Sequence, residues 1–564
     1  MEAQRTYIVI GLAIVSYFLF VAWQTDYAPN QVAPQQEVVV DKNLSEDIPS
    51  EVSTNIPAET DVLPSIETKQ ESITTSQTVV NVDTDVLSIA INTIGGDVVR
   101  GKLTKFPLHL GAENQPVEIL KNSNGRVYTA MSGLIGEGMP DSASPRAVYG
   151  TEQSSYQLAE GQNELVVPLR WTNDQGVVIE KRFTFTRGSY LVKVDYLFNN
   201  STDSQLSGTF FGQLKRDRVV EEINTGGGLG IRAYLGSAYS TTEKRYERYD
   251  FEDMDDANLS VATKGGWIAF LQHYFISSWV PNQEQSNQIS TVTPSGLAII
   301  RVLTPTTTVA PGEAFEAGGS LYLGPKIQDD LAEIADGLDL TVDYGFLWWI
   351  GQPLFMMLKW FHSLLGNWGL AIIMVTIAIK TILYPLSAAQ YRSFAKMRHI
   401  QPKVTALKER HGEDKQKMSQ AMMELYRKEK VNPLGGCLPL LVQMPVFIAL
   451  YWVLLESVEL RHADFYLWIN DLSAMDPYYI LPLLMGASMF LMQKMQPTMA
   501  TMDPMQAKIM QFMPVVMTVF FLFFPAGLVL YWLLNNLISI AQQLYVTKKI
   551  EKQLAAKALS KKSK

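Results

Sequence analysis

Asn367-Trp-Gly-Leu-Ala-Ile-Ile-Met-Val-Thr-Ile-Ala-Ile-Lys380-Thr-Ile-Leu-Tyr-Pro-Leu386 is almost entirely apolar, and it is long enough for the hydrocarbon core of a bilayer. A single ammonium, Lys380, lies inside it. A cation in a span costs about 2.5–3.5 kcal/mol on the insertion scale. Thr376, Lys380 and Tyr384 fall at i, i+4 and i+8, so one helical face is polar and the others apolar. Two readings follow. Lys380 lies roughly 9 Å along the axis from Leu386 and can snorkel to the headgroups, or it marks a functional polar site within the membrane.

Working outward from this span (363–388), the next segment, 389–431, carries eleven basic residues against five acids. Arg392, Lys396, Arg398, Lys403, Lys408 and Arg410 are the candidates for a cytoplasmic binding face. The tail, 547–564, adds seven lysines against Glu551, whereas 457–477 has Arg461 against Glu459, Asp464, Asp471 and Asp476. The positive-inside rule places 389–431 and the tail in the cytoplasm, and 457–477 outside. Met397, Ile400, Val404 and Leu407 step by three and four, Met418, Met422 and Leu425 match them, and Gly412 breaks the run. That pattern predicts a helical hairpin. Its basic face suits ribosomal RNA or anionic lipid, unless topology alone keeps those charges there.

Further spans are expected at 432–456 and 478–495, the latter short enough to favour local bilayer thinning. Residues 509–546 are uncharged; at roughly 57 Å as one helix they must form a hairpin of two spans, bent at Phe524-Pro-Ala-Gly527. Ten methionines between 485 and 517 give a surface that adapts to many apolar partners, or ordinary packing. Residues 344–361 are apolar enough to tempt a span assignment. Gln352-Pro353 interrupts them, however, and their aromatics are those of an interfacial belt. Counting them as a span would also put the basic hairpin outside. Residues 326–362 are therefore expected as a linking amphipathic helix and an interfacial one.

At the other end, residues 7–23 form an apolar segment without a small-x-small cleavage site, so 1–23 is expected as a retained anchor with its N-terminus inside. Residues 24–79 are Pro-, Ser-, Thr-, Gln- and acid-rich and predict a disordered tether. From 80 to 325 the chain turns β-branched and aromatic, as in Val86-Leu-Ser-Ile-Ala-Ile-Asn92, with Gly/Asn/Asp turns. This predicts an all-β sandwich outside the membrane. Gly96-Asp-Val-Val-Arg-Gly-Lys102 has phosphate-loop spacing, but Leu103 replaces the magnesium-binding hydroxyl, so it reads as a turn. The six histidines show no metal-ligand spacing and no nucleophile elbow occurs. No metal, cofactor or catalytic residue is expected. The expected fold is thus a six-span α-helical bundle plus a large all-β sandwich. A hydrophobic fraction of 47% beside a mean hydropathy of +0.03 fits that division.

Gln443, Asn535 and Asn536 can join Thr376 and Lys380 around a hydrated cavity. Neither channel-filter nor inverted repeats are present. Asn432-Pro-Leu-Gly-Gly-Cys-Leu-Pro439, Gln443-Met-Pro445, Asp476-Pro-Tyr-Tyr479 and Phe524-Pro-Ala-Gly527, with the long β domain, resemble the YidC/Oxa membrane-insertase family. The resemblance implies a periplasmic supersandwich in the bacterial inner membrane, both termini cytoplasmic, and five core spans around a groove open to cytoplasm and lipid. It implies insertion and folding of nascent membrane proteins, alone or with the Sec translocon (SecYEG, SecDF), and contacts with ribosomes, the signal recognition particle receptor and membrane lipids. The family's groove charge is usually arginine; Lys380 stands at that position, and Tyr531-Trp532 stands where paired tyrosines are common. On this reading Lys380, Thr376, Gln443, Tyr531, Trp532 and Asn535 form the groove. Met444, Phe447, Met510, Met513 and Met517 form an apolar slide into lipid. A solute or lipid transporter with an anion site at Lys380, and an anchored carbohydrate-active protein, remain alternatives.

Overall fold

From Val79–Asp83 to Ala314–Pro325, nineteen strands form two sheets of eleven and eight among the described residues. The computed structural model describes residues 79–123, 125–142, 145–219, 234–411, 415–429, 438–496 and 504–562. The expected anchor, all but the last residue of the tether, the Gly412 break and most of the Asn432–Pro439 motif lie outside them.

Alternation in the sequence carries over directly to the strands. In Val178–Thr186 every second residue is buried. The run 267–279 becomes an antiparallel hairpin, Trp267–Leu271 with Phe275–Pro281. The phosphate-loop look-alike is the end of a turn followed by a strand. Gly95 and Gly96 adopt φ of 70° and 65°, a conformation open mainly to glycine, and lead into Asp97–Pro107. Residues from both sheets share one core. At its centre Trp279 Nε1 donates to the Gln213 carbonyl across the sheets at 3.2 Å. Gly212 lies beneath that indole, where a Cβ would meet the ring at 2.9 Å.

The helices begin with α1 (Phe251–Asp256), within the sandwich, and α2 (Gln328–Ile334). The amphipathic helix expected from 325 to 340 does not run through. Ala335 is extended and Gly337 takes φ 78°, so a separate 3₁₀ turn, Leu338–Thr341, follows. Tertiary contacts fix that break: Arg245 forks onto the Asp336 carboxylate, and Trp267 Nε1 donates to the Asp336 carbonyl at 3.0 Å. Next, α3 (Trp348–Leu365) continues through Pro353 instead of being interrupted there. Proline removes one amide donor near the helix start, while Leu354, Phe355 and Leu358 on its buried face hold the turn. Trp348, Trp349 and Trp360 remain exposed on the other side.

Then come α4 (Trp368–Ile382), α5 (Tyr384–His411), α6 (Lys415–Lys428), α7 (Leu438–Glu456), α8 (Ile480–Met495), α9 (Pro504–Phe521) and α10 (Ala526–Lys562). The span expected at 363–388 is broken, because α4 and α5 meet at 66°. The break falls at Leu383, the C-cap of α4 with ψ 2°, and Pro385, second residue of α5, has no amide to bond back into α4. Among the described residues no single helix is long and apolar enough to cross a membrane; that bent pair is so only when its two helices are taken together. The expected bend at Phe524-Pro-Ala-Gly527 is present between α9 and α10. The tail, rather than forming a separate unit, continues α10 to Lys562. α3, α4, α7, α8 and α10 share an apolar core that includes Leu358, Ile372, Leu450, Met485 and Val529.

Sandwich and bundle meet at a buried ion pair. Lys326 Nζ lies 3.2 Å from Glu456 Oε2, with side chains 3% and 5% exposed. Burial lowers the Lys326 pKa, and Glu456 opposes that shift. His273 Nε2 approaches the Leu455 carbonyl at 2.9 Å, and Val458, just beyond α7, packs into the sandwich core. Glu456→Ala should strand the ammonium and cost about 3–5 kcal/mol, whereas Lys326→Met with Glu456→Leu should be nearly neutral. Amide exchange of residues 325–342 and 454–460 in the full chain measures both; equal losses in the two proteins would show that the pair is not what holds this junction.

Candidate functional site

Asn367 caps α4 by accepting the Leu370 amide at 3.0 Å, which fixes the helix that carries Thr376 and Lys380. Both side chains are buried, Lys380 only 3% exposed. Lys380 Nζ donates to Ser539 Oγ at 2.8 Å. That hydroxyl in turn donates to the Asn535 carbonyl at 2.6 Å, and Asn535 Oδ1 accepts from Gln443 Nε2. Gln542 Nε2 reaches the Lys380 carbonyl at 3.5 Å. A continuous polar chain therefore links α4, α10 and α7. Lys380 forms no ion pair among the described residues, so its partners are neutral and its charge is uncompensated.

Not every expected member joins this network. Thr376 is buried, but its hydroxyl is used within α4, donating to the Ile372 carbonyl at 2.7 Å. The bend at Leu383 moves Tyr384 onto α5, where it packs beside Ala388, Tyr391 and Val546. Tyr531 is buried, its ring lying roughly parallel to Phe447 at 6.1 Å. Trp532 packs edge-on against Phe447 at 4.2 Å and also meets Phe521 at 5.2 Å. It thereby joins α7 to α9, and its indole nitrogen is buried without a hydrogen-bond partner.

Sequence reasoning missed Ser539 and Gln542. With Asn535 they stand at i, i+4 and i+7 of α10, a polar stripe that was legible. Asn536 and Gln543 form a second stripe facing α8: Asn536 Nδ2 donates to Ser488 Oγ at 3.0 Å, and Gln543 Nε2 to the Met495 carbonyl at 3.0 Å.

The five slide residues fall into two groups. Met444, Met510 and Met513 are 44%, 40% and 43% exposed, whereas Phe447 and Met517 are half-buried. On α9 the exposed row also includes Phe512, Val515, Val516 and Val519. Such a continuous exposed apolar face marks a protein or membrane contact.

In the hairpin of α5 and α6, Met397, Ile400, Val404 and Met422 form a small core with Met418 and Leu425. Arg392, Lys396, Arg398, Lys403 and Arg410 are exposed, while the Lys408 side chain is outside the described residues. Lys403 pairs with Glu429 at 2.5 Å. Arg398 donates to the Met495 carbonyl at the end of α8, so the hairpin is tied to the bundle. A cavity of about 360 Å³ between α5 and α6 is lined by Lys403, Arg410, Lys428 and Glu424 among others.

Residues 360–553 match the family described as 60Kd inner membrane protein, and residues 79–357 match the YidC periplasmic domain. The protein named membrane protein insertase YidC in Shewanella woodyi is 50% identical, and its namesake in Aeromonas hydrophila 49% identical. Each comparison covers 98% of this chain and 99% of the relative. A solved structure described as an active YidC insertase with the first transmembrane domain resolved covers 83% of this chain and 92% of that one, at 18% identity and a TM-score of 0.38.

Ser539→Ala should leave the Lys380 ammonium without its acceptor and cost about 1–3 kcal/mol. With Lys380→Met in the background, the same change should cost far less. A double-mutant cycle from unfolding in detergent checks this: coupling below about 0.5 kcal/mol would dissolve the proposed link.

Proposed function

This chain belongs to the YidC family of membrane protein insertases, and on that premise we propose that Lys380 is the charge that draws the polar part of a nascent membrane protein into the bundle. The family is one of inner-membrane proteins with a periplasmic domain. The observation that carries the proposal is an ammonium satisfied, among the described residues, by neutral oxygen. An uncompensated cation attracts an entering carboxylate, and at low dielectric that attraction is far stronger than in water. Exchange of the Ser539 hydroxyl for a substrate carboxylate keeps the lysine hydrogen-bonded throughout.

In this mechanism the polar tail enters from the cytoplasm beside Lys380, Gln443 and Asn535, which shortens the apolar barrier it must cross. The membrane potential favours outward transfer of each negative charge by about 2.3 kcal/mol per 100 mV. The apolar segment of the substrate passes over Met444, Met510 and Met513 into lipid, driven by partition. Lysine keeps the charge of the family's usual arginine but lacks its planar fork. The orientation follows the basic residues: six spans, both termini and the α5–α6 hairpin in the cytoplasm, the sandwich in the periplasm. The hairpin and tail then face the ribosome and the signal recognition particle receptor. The Sec translocon is the partner expected beside the bundle.

Lys380→Arg should preserve insertion, whereas Lys380→Glu should impair substrates with acidic tails by repelling them. Insertion of such substrates to the same extent by all three proteins would remove the charge from the mechanism. Photocrosslinkers at 376, 443 and 532 should capture a stalled nascent chain; silence at all three would place its path elsewhere.

A further inference from the structure

At the other end of α4 the sandwich and bundle enclose a cavity of about 310 Å³. Asn367 Nδ2, at the α4 start, donates to the Asp464 carbonyl at 3.2 Å, which places this end far from Lys380. Arg461 lines the cavity. Its Nη2 donates to the Pro107 and Leu108 carbonyls at 2.8 and 3.1 Å, and its guanidinium lies over Phe275 at 5.5 Å. Its Nη1 is buried with no hydrogen-bond partner among the described residues. A buried donor left unpaired is costly, and a guanidinium is built to present paired donors to an oxyanion.

One carboxylate opposes that cation on this space, and its hydrogen bonds are turned to its own loop. Asp471 is the one carboxylate among the described lining residues. Its Oδ1 already accepts from the His462 amide, the Ser473 amide and the Ser473 hydroxyl, at 3.2, 2.8 and 2.7 Å, and its Oδ2 lies 4.0 Å from His462 Nε2. His109 and Tyr274 complete the set, His109 on an exposed turn of the sandwich. Leu108 and Leu110, both in the lining, are exposed, as are Leu467 and Tyr478, each next in sequence to a lining residue.

We propose that this cavity binds the phosphate of a phospholipid headgroup, held by Arg461 and His109, with the acyl chains leaving over the exposed leucines. A free phosphate would need the cation but not the apolar rim. An apolar ligand would need the rim but would leave the guanidinium donor unpaired. An amphiphile whose anion adjoins its chains satisfies both. Exposed tyrosine at the end of a membrane bundle belongs at headgroup depth, and a guanidinium with an unused donor there suits a phosphate oxyanion.

The full chain in detergent can be titrated with dioctanoyl phosphatidylglycerol and bound lipid counted by native mass spectrometry. The proposal expects one lipid held more tightly than the rest. Arg461→Gln should weaken it about tenfold and His109→Ala about threefold. Since Arg461→Gln also removes the contacts to Pro107 and Leu108, His109→Ala, which touches neither carbonyl, tests the site without disturbing the seam. Equal retention of dioctanoylglycerol, which lacks the phosphate, would overturn the proposal. So would displacement of the lipid by low-millimolar inorganic phosphate, which would assign the site to a free oxyanion. Unchanged binding in both variants would also overturn it.

Discussion

An ammonium enclosed in apolar helices, with no counter-ion among the described residues, is the constraint around which the bundle is arranged. Lys380 keeps its charge there only if hydrogen-bond acceptors come to it, and three helices contribute to that supply. Ser539 accepts from it, Asn535 accepts from Ser539, and Gln443 holds the Asn535 side chain. A carboxylate in place of Ser539 would neutralise the site; a hydroxyl satisfies the donor and leaves the charge to act on something else. On the proposed reading, a lone cation that costs stability is retained for its field, as ionisable residues inside membranes usually are.

The bend between α4 and α5 belongs to the same arrangement. It ends α4 just beyond Lys380, so the lysine turns toward α10 instead of continuing along a straight span toward the headgroups. α5 then runs on into the basic hairpin, and Arg398 ties that hairpin back to the end of α8. At the opposite end the segment after α7 serves two cores at once. Glu456 meets Lys326 in the seam, Val458 fills the sandwich, and Arg461 grips the Pro107–Leu108 turn. The sandwich is thus joined to the bundle by buried contacts and not by a linker alone.

Much of this was legible in the residues. Alternation marked the strands, the three-four steps of Met397, Ile400 and Val404 marked the hairpin core, and Pro525 and Gly527 marked the turn before α10. These are local signals, set by the two periods of regular backbone and by residues that cannot continue a helix. Errors arose where a distant contact overrode a local preference. Asp336 is drawn to Arg245 and Trp267, so the amphipathic run stops early. The packed face of α3 carries it through Pro353. Pro385, visible in the sequence, lies just past the 66° bend that divides the segment expected as one span.

The sequence by itself determined that one part of the chain is a β sandwich and another a set of apolar helices, that a single cation sits within the stretch 367–386, and that its neighbours at helical spacing are polar. It also settled the family, since four short motifs and the exported β domain occur together. Only the tertiary structure decided what the cation touches. Ser539 lies 159 positions from Lys380, and no periodicity in either helix says which face of one meets which face of the other. That choice is made by packing many side chains at once, and neither helix encodes it alone.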